Sequence, residues 1–141
     1  MGTTLILKRT IAAPRARVFD AWTTPELMCQ WFCPDDTFSV PIAEVDLTVG
    51  GAFRIGMKPP DKEVRIARGV YREILRPERL VFTWSWEHDA MDTLVTVTFK
   101  ETGSATEIVV KHESLPTIAR RNDHAHGWSG CLRHLEKFLL H

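Results

Sequence analysis

Residues 80–86 have the sequence LVFTWSW, in which every second side chain is large and apolar. Successive side chains of a strand point to opposite faces, so this alternation is typical of a strand with one face in a protein core. The buried face is predicted to contain Leu80, Phe82, Trp84 and Trp86, and the opposite face Val81, Thr83 and Ser85. The fold is therefore expected to include a sheet with one aromatic, buried face.

The same two-residue period recurs on both sides of this stretch. Turn sequences such as Gly50-Gly51 and Thr102-Gly103-Ser104 separate the runs, and connections this short join antiparallel neighbours. The predicted strands span residues 5–11, 40–48, 52–58, 63–75, 80–86, 93–101 and 106–113. Further inward side chains are predicted to be Phe53, Ile55, Met57, Val95, Val97, Phe99, Ile108, Val110 and His112. For residues 63–75 the pattern leaves the inward face open.

Helical spacing appears in three places. A short helix is predicted from Pro14 to about Thr23, because proline is favoured in the first turn of a helix. A second short helix is predicted to start at Pro25, with an apolar face formed by Leu27, Met28, Trp31 and Phe32. The longest helix is predicted after Pro116, with an apolar stripe at Trp128, Leu132, Leu135 and Leu139. Strands and helices in this order predict an α+β domain whose sheet is covered by the last helix.

The composition limits the classes of partner. A chain of 141 residues fits one domain. Its 18 basic and 18 acidic residues balance, which argues against nucleic acid as a partner. No apolar run approaches the length of about 18 residues that spans a membrane. Three cysteines in a sequence without an export signal predict reduced thiols and a cytoplasmic location.

Several separated blocks together resemble one known family. They are residues 9–14 (RTIAAP), 18–23 (VFDAWT), 49–54 (VGGAFR), 77–84 (PERLVFTW) and 127–128 (GW). In this order they resemble the START-like SRPBCC superfamily, in the branch named after the activator of the heat-shock-protein ATPase. The resemblance implies a helix-grip fold with a curved antiparallel sheet of about six to seven strands. Two short helices would follow strand one, and a long C-terminal helix would cross the sheet.

The resemblance also implies that residues 1–141 form a single START-like ligand-binding domain. Members of the superfamily bind lipids, hormones or other apolar molecules, or act as cyclases or hydrolases. The leading hypothesis is a cavity between sheet and last helix that holds a small hydrophobic or aromatic molecule. Its predicted lining is Phe53, Ile55, Phe82, Trp84, Trp86, Val97, Phe99, His112, Trp128 and Leu132. The competing interpretation is that these aromatic side chains simply fill a core.

His112 is the one titratable side chain on the predicted inward face, so it could orient a ligand or transfer a proton. It could equally be a core histidine whose hydrogen bonds are satisfied by the protein. An enzyme using the same cavity, with His112 and with Tyr71 or Glu73 if they point inward, is the second hypothesis. The third is a protein-interaction or chaperone-assisting module, with a chaperone or a second copy of the chain as partner.

No cofactor and no metal site is expected. His124 and His126 stand two residues apart and would diverge on a helix. Cys29 and Cys33 are four residues apart, but no further Cys/His pair has zinc-site spacing. The sequence has no recognisable catalytic motif, so neither a ligand nor a reaction can be named at this stage.

Overall fold

The chain forms a seven-stranded antiparallel sheet with a long helix packed on it, as seen in a computed structural model that describes residues 2–140. Neighbouring strands follow the order β1-β7-β6-β5-β4-β3-β2. The elements are β1 (Thr3–Ile11), α1 (Arg15–Thr23), α2 (Pro25–Met28), β2 (Ser39–Val45), β3 (Ala52–Lys58), β4 (Arg65–Leu75), β5 (Arg79–Trp86), β6 (Asp89–Thr102), β7 (Ala105–Leu115) and α3 (Ile118–Leu139). This is the predicted helix-grip α+β fold.

The inner face of the sheet is apolar along its central strands. Alternation places Leu80, Phe82 and Trp84 of β5 inside, each at most 4% exposed. The side chains predicted to point inward from β3, β6 and β7 are also buried. In β4, where the pattern left the question open, Ala67 and Tyr71 point inward. A shift of register between Tyr71 and Glu73 ends that alternation.

Helix α3 is anchored to β1 by two polar contacts. The guanidinium of Arg121 donates to the carbonyl oxygen of Thr4 over 3.0 Å. One turn from the far end, Arg9 and Glu136 form an ion pair at 2.6 Å. The helix begins at Thr117, whose side chain accepts a hydrogen bond from the backbone N–H of Arg120. The predicted apolar stripe from Trp128 to Leu139 is buried.

Two predicted elements end earlier in the structure than expected. Helix α2 ends at Met28, and residues 29–33 continue as turns that bury both Trp31 and Phe32. Strand β2 ends at Val45 instead of residue 48. There Asp46 accepts from the hydroxyl of Thr48 and starts the turn toward β3.

The predicted outer face of β5 is less exposed than expected. Val81 and Ser85 are both 8% exposed, because β5 lies in the middle of the sheet and has neighbours on either side. The hydroxyl of Ser85 also accepts a hydrogen bond from the backbone N–H of Met91 in β6. Across the described range 2–140, no helix combines the length and the apolar character that a membrane crossing requires.

Candidate functional site

A groove of about 520 Å³ opens at one end of the sheet. It lies between the first half of α3, the hairpin that joins β5 to β6, and the connecting segment 32–38. Aromatic rings form much of its surface, namely Phe32, Phe38, Trp84, Trp86 and Trp128. Met57 of β3 and Cys131 of α3 add further apolar surface. The volume falls in the range of small-molecule sites, about 300–1,000 Å³.

A buried hydrogen-bond chain joins the ring of Trp128 to the backbone of Trp84. The indole N–H of Trp128 donates to Nδ1 of His112 over 3.0 Å. Nε2 of His112 therefore carries the proton and donates to the hydroxyl of Thr93 at 2.7 Å. That hydroxyl in turn donates to the backbone carbonyl of Trp84. The chain joins α3, β7, β6 and β5, so it holds the tryptophans of helix and sheet in register.

His112 is neutral in this arrangement. Its side chain is fully buried, and both ring nitrogens bond to protein groups. Burial, and to a lesser extent the nearby ring of His124, lowers the pKa of His112 to about 3. The ring therefore acts as a neutral hydrogen-bond bridge between Trp128 and Thr93.

His124 supports the wall of the groove. Its Nε2 accepts a hydrogen bond from the indole N–H of Trp86 at 3.1 Å. Its Nδ1–H donates to the carbonyl oxygen of Arg120, one turn earlier in α3. Burial lowers the pKa of His124 as well, which is consistent with a neutral ring that accepts from Trp86. The Trp86 ring is thereby held at the mouth of the groove.

The rim of the groove is polar and has charges of both signs. Arg65, His88, Asp123 and His126 stand around the opening. Arg120 also lines it and forms an ion pair with Asp89 at the start of β6. Within residues 2–140 no three His, Cys, Asp or Glu side chains converge as a metal site would require.

One buried donor at the groove lacks an acceptor. Among residues 2–140, the indole nitrogen of Trp84 has no hydrogen-bond partner, although the side chain is only 3% exposed. Leaving a buried N–H unpaired costs about 1–3 kcal/mol. The nitrogen itself is buried, so the groove does not expose this donor to a ligand.

The structure divides the ten predicted lining residues into two sets. Trp84, Trp86 and Trp128 line the groove. The remaining seven lie in the packed core, namely Phe53, Ile55, Phe82, Val97, Phe99, His112 and Leu132. Rings from α1 and from the turns after α2 fill the hollow: Phe99, for example, packs edge to face on Phe19 and Trp22. The space that remains open is consequently at the hairpin end.

Much of the groove lining was not predicted from the sequence. Phe32 was predicted on the apolar face of the second helix but not at a site, Phe38 lies in an irregular segment without periodicity, and His124 was considered only as a possible metal ligand. Met57 was placed on the inward face of β3 but not at a site. Only its position at the end of the Phe53–Ile55–Met57 row could have indicated that it lies near an opening.

A family profile and several solved structures resemble this chain over most of its length. The sequence profile described as Activator of Hsp90 ATPase homolog 1-like protein matches residues 12–139. A solved structure from Chromobacterium violaceum is 26% identical, with a TM-score of 0.88 and 96% of each chain covered. One from Nitrosomonas europaea is 27% identical, with a TM-score of 0.82 and 97% of this chain and 94% of that chain covered. Among curated proteins, none matches this sequence significantly.

A third solved structure supports the fold alone. It is an AHSA1 protein from Silicibacter pomeroyi, 22% identical, with a TM-score of 0.87 and 98% of each chain covered. The shared architecture therefore extends over nearly the whole chain.

Proposed function

This chain belongs to the Activator of Hsp90 ATPase homolog 1-like family, and from that premise we propose that it binds a small aromatic or hydrophobic molecule in the groove beside α3. The observation that supports the proposal most directly is the groove of about 520 Å³ walled by five aromatic side chains. Phe38 and Trp86 are partly exposed there, and a concave, mostly apolar cleft is typical of small-molecule sites.

The fixed geometry of the walls supports the same conclusion. Trp128 is held through His112, and Trp86 is held through His124. Rings restrained in the free protein lose little further freedom when a ligand packs on them, which reduces the entropic cost of binding. The groove thus has the properties of a largely pre-formed site.

We further propose that the ligand has a hydrogen-bond acceptor on an otherwise apolar body. The rim side chains Arg65 and Arg120 favour partly negative or acceptor groups at the mouth. A flat aromatic molecule with a carbonyl or carboxylate group fits this rim and the aromatic walls.

An enzyme in the same groove finds less support. The proton-transfer groups predicted from sequence lie away from it: His112 is fully bonded, and Tyr71 packs among Phe53 and Phe82. Glu73 forms an ion pair with Arg79. A chaperone-assisting role, a chaperone or homodimer partner, and a cytoplasmic location remain predictions.

Gly127→Leu is expected to weaken ligand binding at least tenfold without unfolding the protein. Gly127 lines the groove, and a Cβ added there would meet only the side chain of Pro34 at 4.0 Å. A leucine side chain would therefore occupy the ligand's space. Hits from a thermal-shift screen of aromatic and aliphatic carbonyl compounds would be titrated by tryptophan fluorescence, and we expect at least a tenfold weaker Kd in the variant, about 1.4 kcal/mol.

The matched control is Ser129→Leu, an exposed position in the same helix. It adds the same side chain outside the groove, so its affinity should equal that of the wild type. A hit that binds Gly127→Leu as tightly as the wild type would bind elsewhere, and the proposed site would be wrong. The ligand proposal itself fails if no compound in the screen raises the melting temperature.

A further inference from the structure

Arg65 is a basic residue on the largely apolar inner face of the sheet. In β4 it stands directly opposite Met57 of β3, and residues paired in this way point to the same face of a sheet. Met57 is 4% exposed and lines the groove beside α3, called the aromatic groove below. Ala67 and Tyr71, further along β4 on the same face, are buried. Arg65 also lines the aromatic groove, so its side chain extends from the sheet wall of the site.

The guanidinium of Arg65 is not neutralised by the protein. Among residues 2–140 it forms no ion pair with a carboxylate. Arg120, the other arginine of the rim, is paired with Asp89, and one of its nitrogens lies 3.9 Å from the sulfur of Met91. The positive charge that is available to a ligand at the mouth is therefore that of Arg65.

The acidic side chains of the rim lie on the other walls. Asp123 belongs to α3, and Asp35 belongs to segment 32–38. The backbone N–H and the hydroxyl of Thr37 both donate to Asp35, at 3.0 and 2.9 Å, and hold the pKa of this carboxyl below its usual range. An anionic group on a ligand would be repelled from these two walls and attracted to β4.

The chemistry of the available cation favours a carboxylate. A guanidinium presents two parallel N–H groups that match the two oxygens of a carboxylate. One unneutralised guanidinium balances the single charge of a carboxylate, whereas a phosphate monoester carries up to about two charges. The aromatic walls favour a flat ring as the body of the ligand.

We propose that Arg65 binds the carboxylate of the ligand and makes the aromatic groove selective for aromatic acids. The inference rests on the proposed function, because it assigns the polar end of the molecule bound there. The ring of the ligand packs on Trp86 and Trp128, and its carboxylate lies at the mouth, where Arg65 donates two hydrogen bonds. Arg65 is exposed in the free protein, so solvent screens the interaction and its contribution to affinity is about tenfold in Kd.

The test compares three compounds with the same ring system. They are 2-naphthoate, 2-naphthamide and 2-naphthylmethylamine, which carry an anionic, a neutral and a cationic group. Their Kd values are measured by isothermal titration calorimetry at pH 7 and low ionic strength, where screening is weakest. We expect the wild type to bind 2-naphthoate about tenfold more tightly than 2-naphthamide, and the amine most weakly.

Arg65→Met should weaken the binding of 2-naphthoate about tenfold and leave the Kd of 2-naphthamide within about twofold, because methionine keeps an apolar stem and lacks the charge. Retained binding of the amide shows that the variant is folded and that its groove is intact. The matched control is Arg68→Met, which removes the same charge from the opposite face of β4, where Arg68 is exposed and paired in register with Arg54. This control should keep the wild-type ratio of the two Kd values.

Two results would overturn the inference and leave the proposed aromatic site standing. One is a wild type that binds the amide or the amine as tightly as the acid. The other is an Arg65→Met variant that still prefers the acid about tenfold. If none of the three compounds binds, the inference is also overturned, and the proposed function is decided by its own screen of aromatic and aliphatic carbonyl compounds.

Discussion

Replacing Gly130 by alanine is expected to lower the free energy of unfolding by about 3 kcal/mol. A Cβ at this position would lie 2.0 Å from the carbonyl oxygen of Pro34 and 2.8 Å from its carbonyl carbon. Both atoms belong to the backbone, so no change of rotamer relieves the overlap. Either α3 or segment 33–38 must move, and the aromatic groove depends on their contact.

The natural comparison is Gly127→Ala, three residues earlier in the same helix. Alanine gains up to about 1 kcal/mol over glycine in a helix, and both variants share this gain. At Gly127 the added Cβ would meet only a side-chain atom of Pro34 at 4.0 Å, an ordinary contact. Gly127→Ala should therefore be slightly more stable than the wild type.

The free energy of unfolding of both variants can be measured by urea denaturation followed by circular dichroism. The two values should differ by about 4 kcal/mol. Because both variants replace glycine by alanine in the same helix, the gain from helix propensity is the same in each. The difference therefore measures the cost of the overlap between the added Cβ and Pro34. Equal stability of the two variants would show that segment 33–38 does not pack against Gly130 as described.

Local pattern was sufficient to predict the sheet faces. In β5 the alternation correctly identified Leu80, Phe82 and Trp84 as buried, because a central strand has a fixed side-chain period and register. Trp86, also predicted on the buried face, is only partly buried, because the register with β6 shifts between Trp84 and Trp86. The same period failed at Val81 and Ser85, where burial depends on adjacent strands as well as on the direction of the side chain.

The aromatic groove could not be predicted from the side-chain period. The groove exists where segment 32–38 crosses α3, and the position of that segment depends on the absence of a side chain at Gly130. His124 meets Trp86, which is 38 residues away in the sequence. Such contacts depend on tertiary packing, and no period in the sequence encodes them.

At His112 the direction of the side chain could be predicted from the sequence, but its hydrogen-bond partner could not. Its inward direction followed from the alternation of β7, and the structure agrees. Whether its ring would contact a ligand or another side chain of the protein could not be predicted, because the contact is with the indole of Trp128. Trp128 belongs to α3, a separate element that follows β7 in the chain. Of the two alternatives left open, the buried and hydrogen-bonded histidine is the one observed.

The buried ring of His112 should make the protein less stable in mild acid. In the folded chain the pKa of His112 is lowered to about 3, and an unfolded histidine has the ordinary value of about 6.5. The unfolded state therefore binds the proton first as the pH falls. Stability from this group is fully present above pH 6.5 and decreases progressively toward pH 3. Between pH 7 and pH 5 the expected loss is about 2 kcal/mol.

The non-titrating variant His112→Gln separates this loss from that of other groups. A glutamine side chain retains an acceptor for Trp128 and a donor for Thr93, but it takes up no proton. Urea unfolding at pH 7 and pH 5 and constant ionic strength should show the stability gap between wild type and variant narrowing by about 2 kcal/mol at the lower pH.

Exposed His126 provides the control, because His126→Gln should keep the pH dependence of the wild type. His124 is half-buried and its pKa is also lowered, so it contributes in the same direction to both wild type and His112→Gln. The difference in unfolding free energy between wild type and His112→Gln could instead stay constant from pH 7 to pH 5. That result would mean that His112 takes up a proton in the folded protein. The hydrogen-bond chain from Trp128 to Thr93 would then have to open in mild acid, and the aromatic groove would lose the support of the wall that it shares with α3.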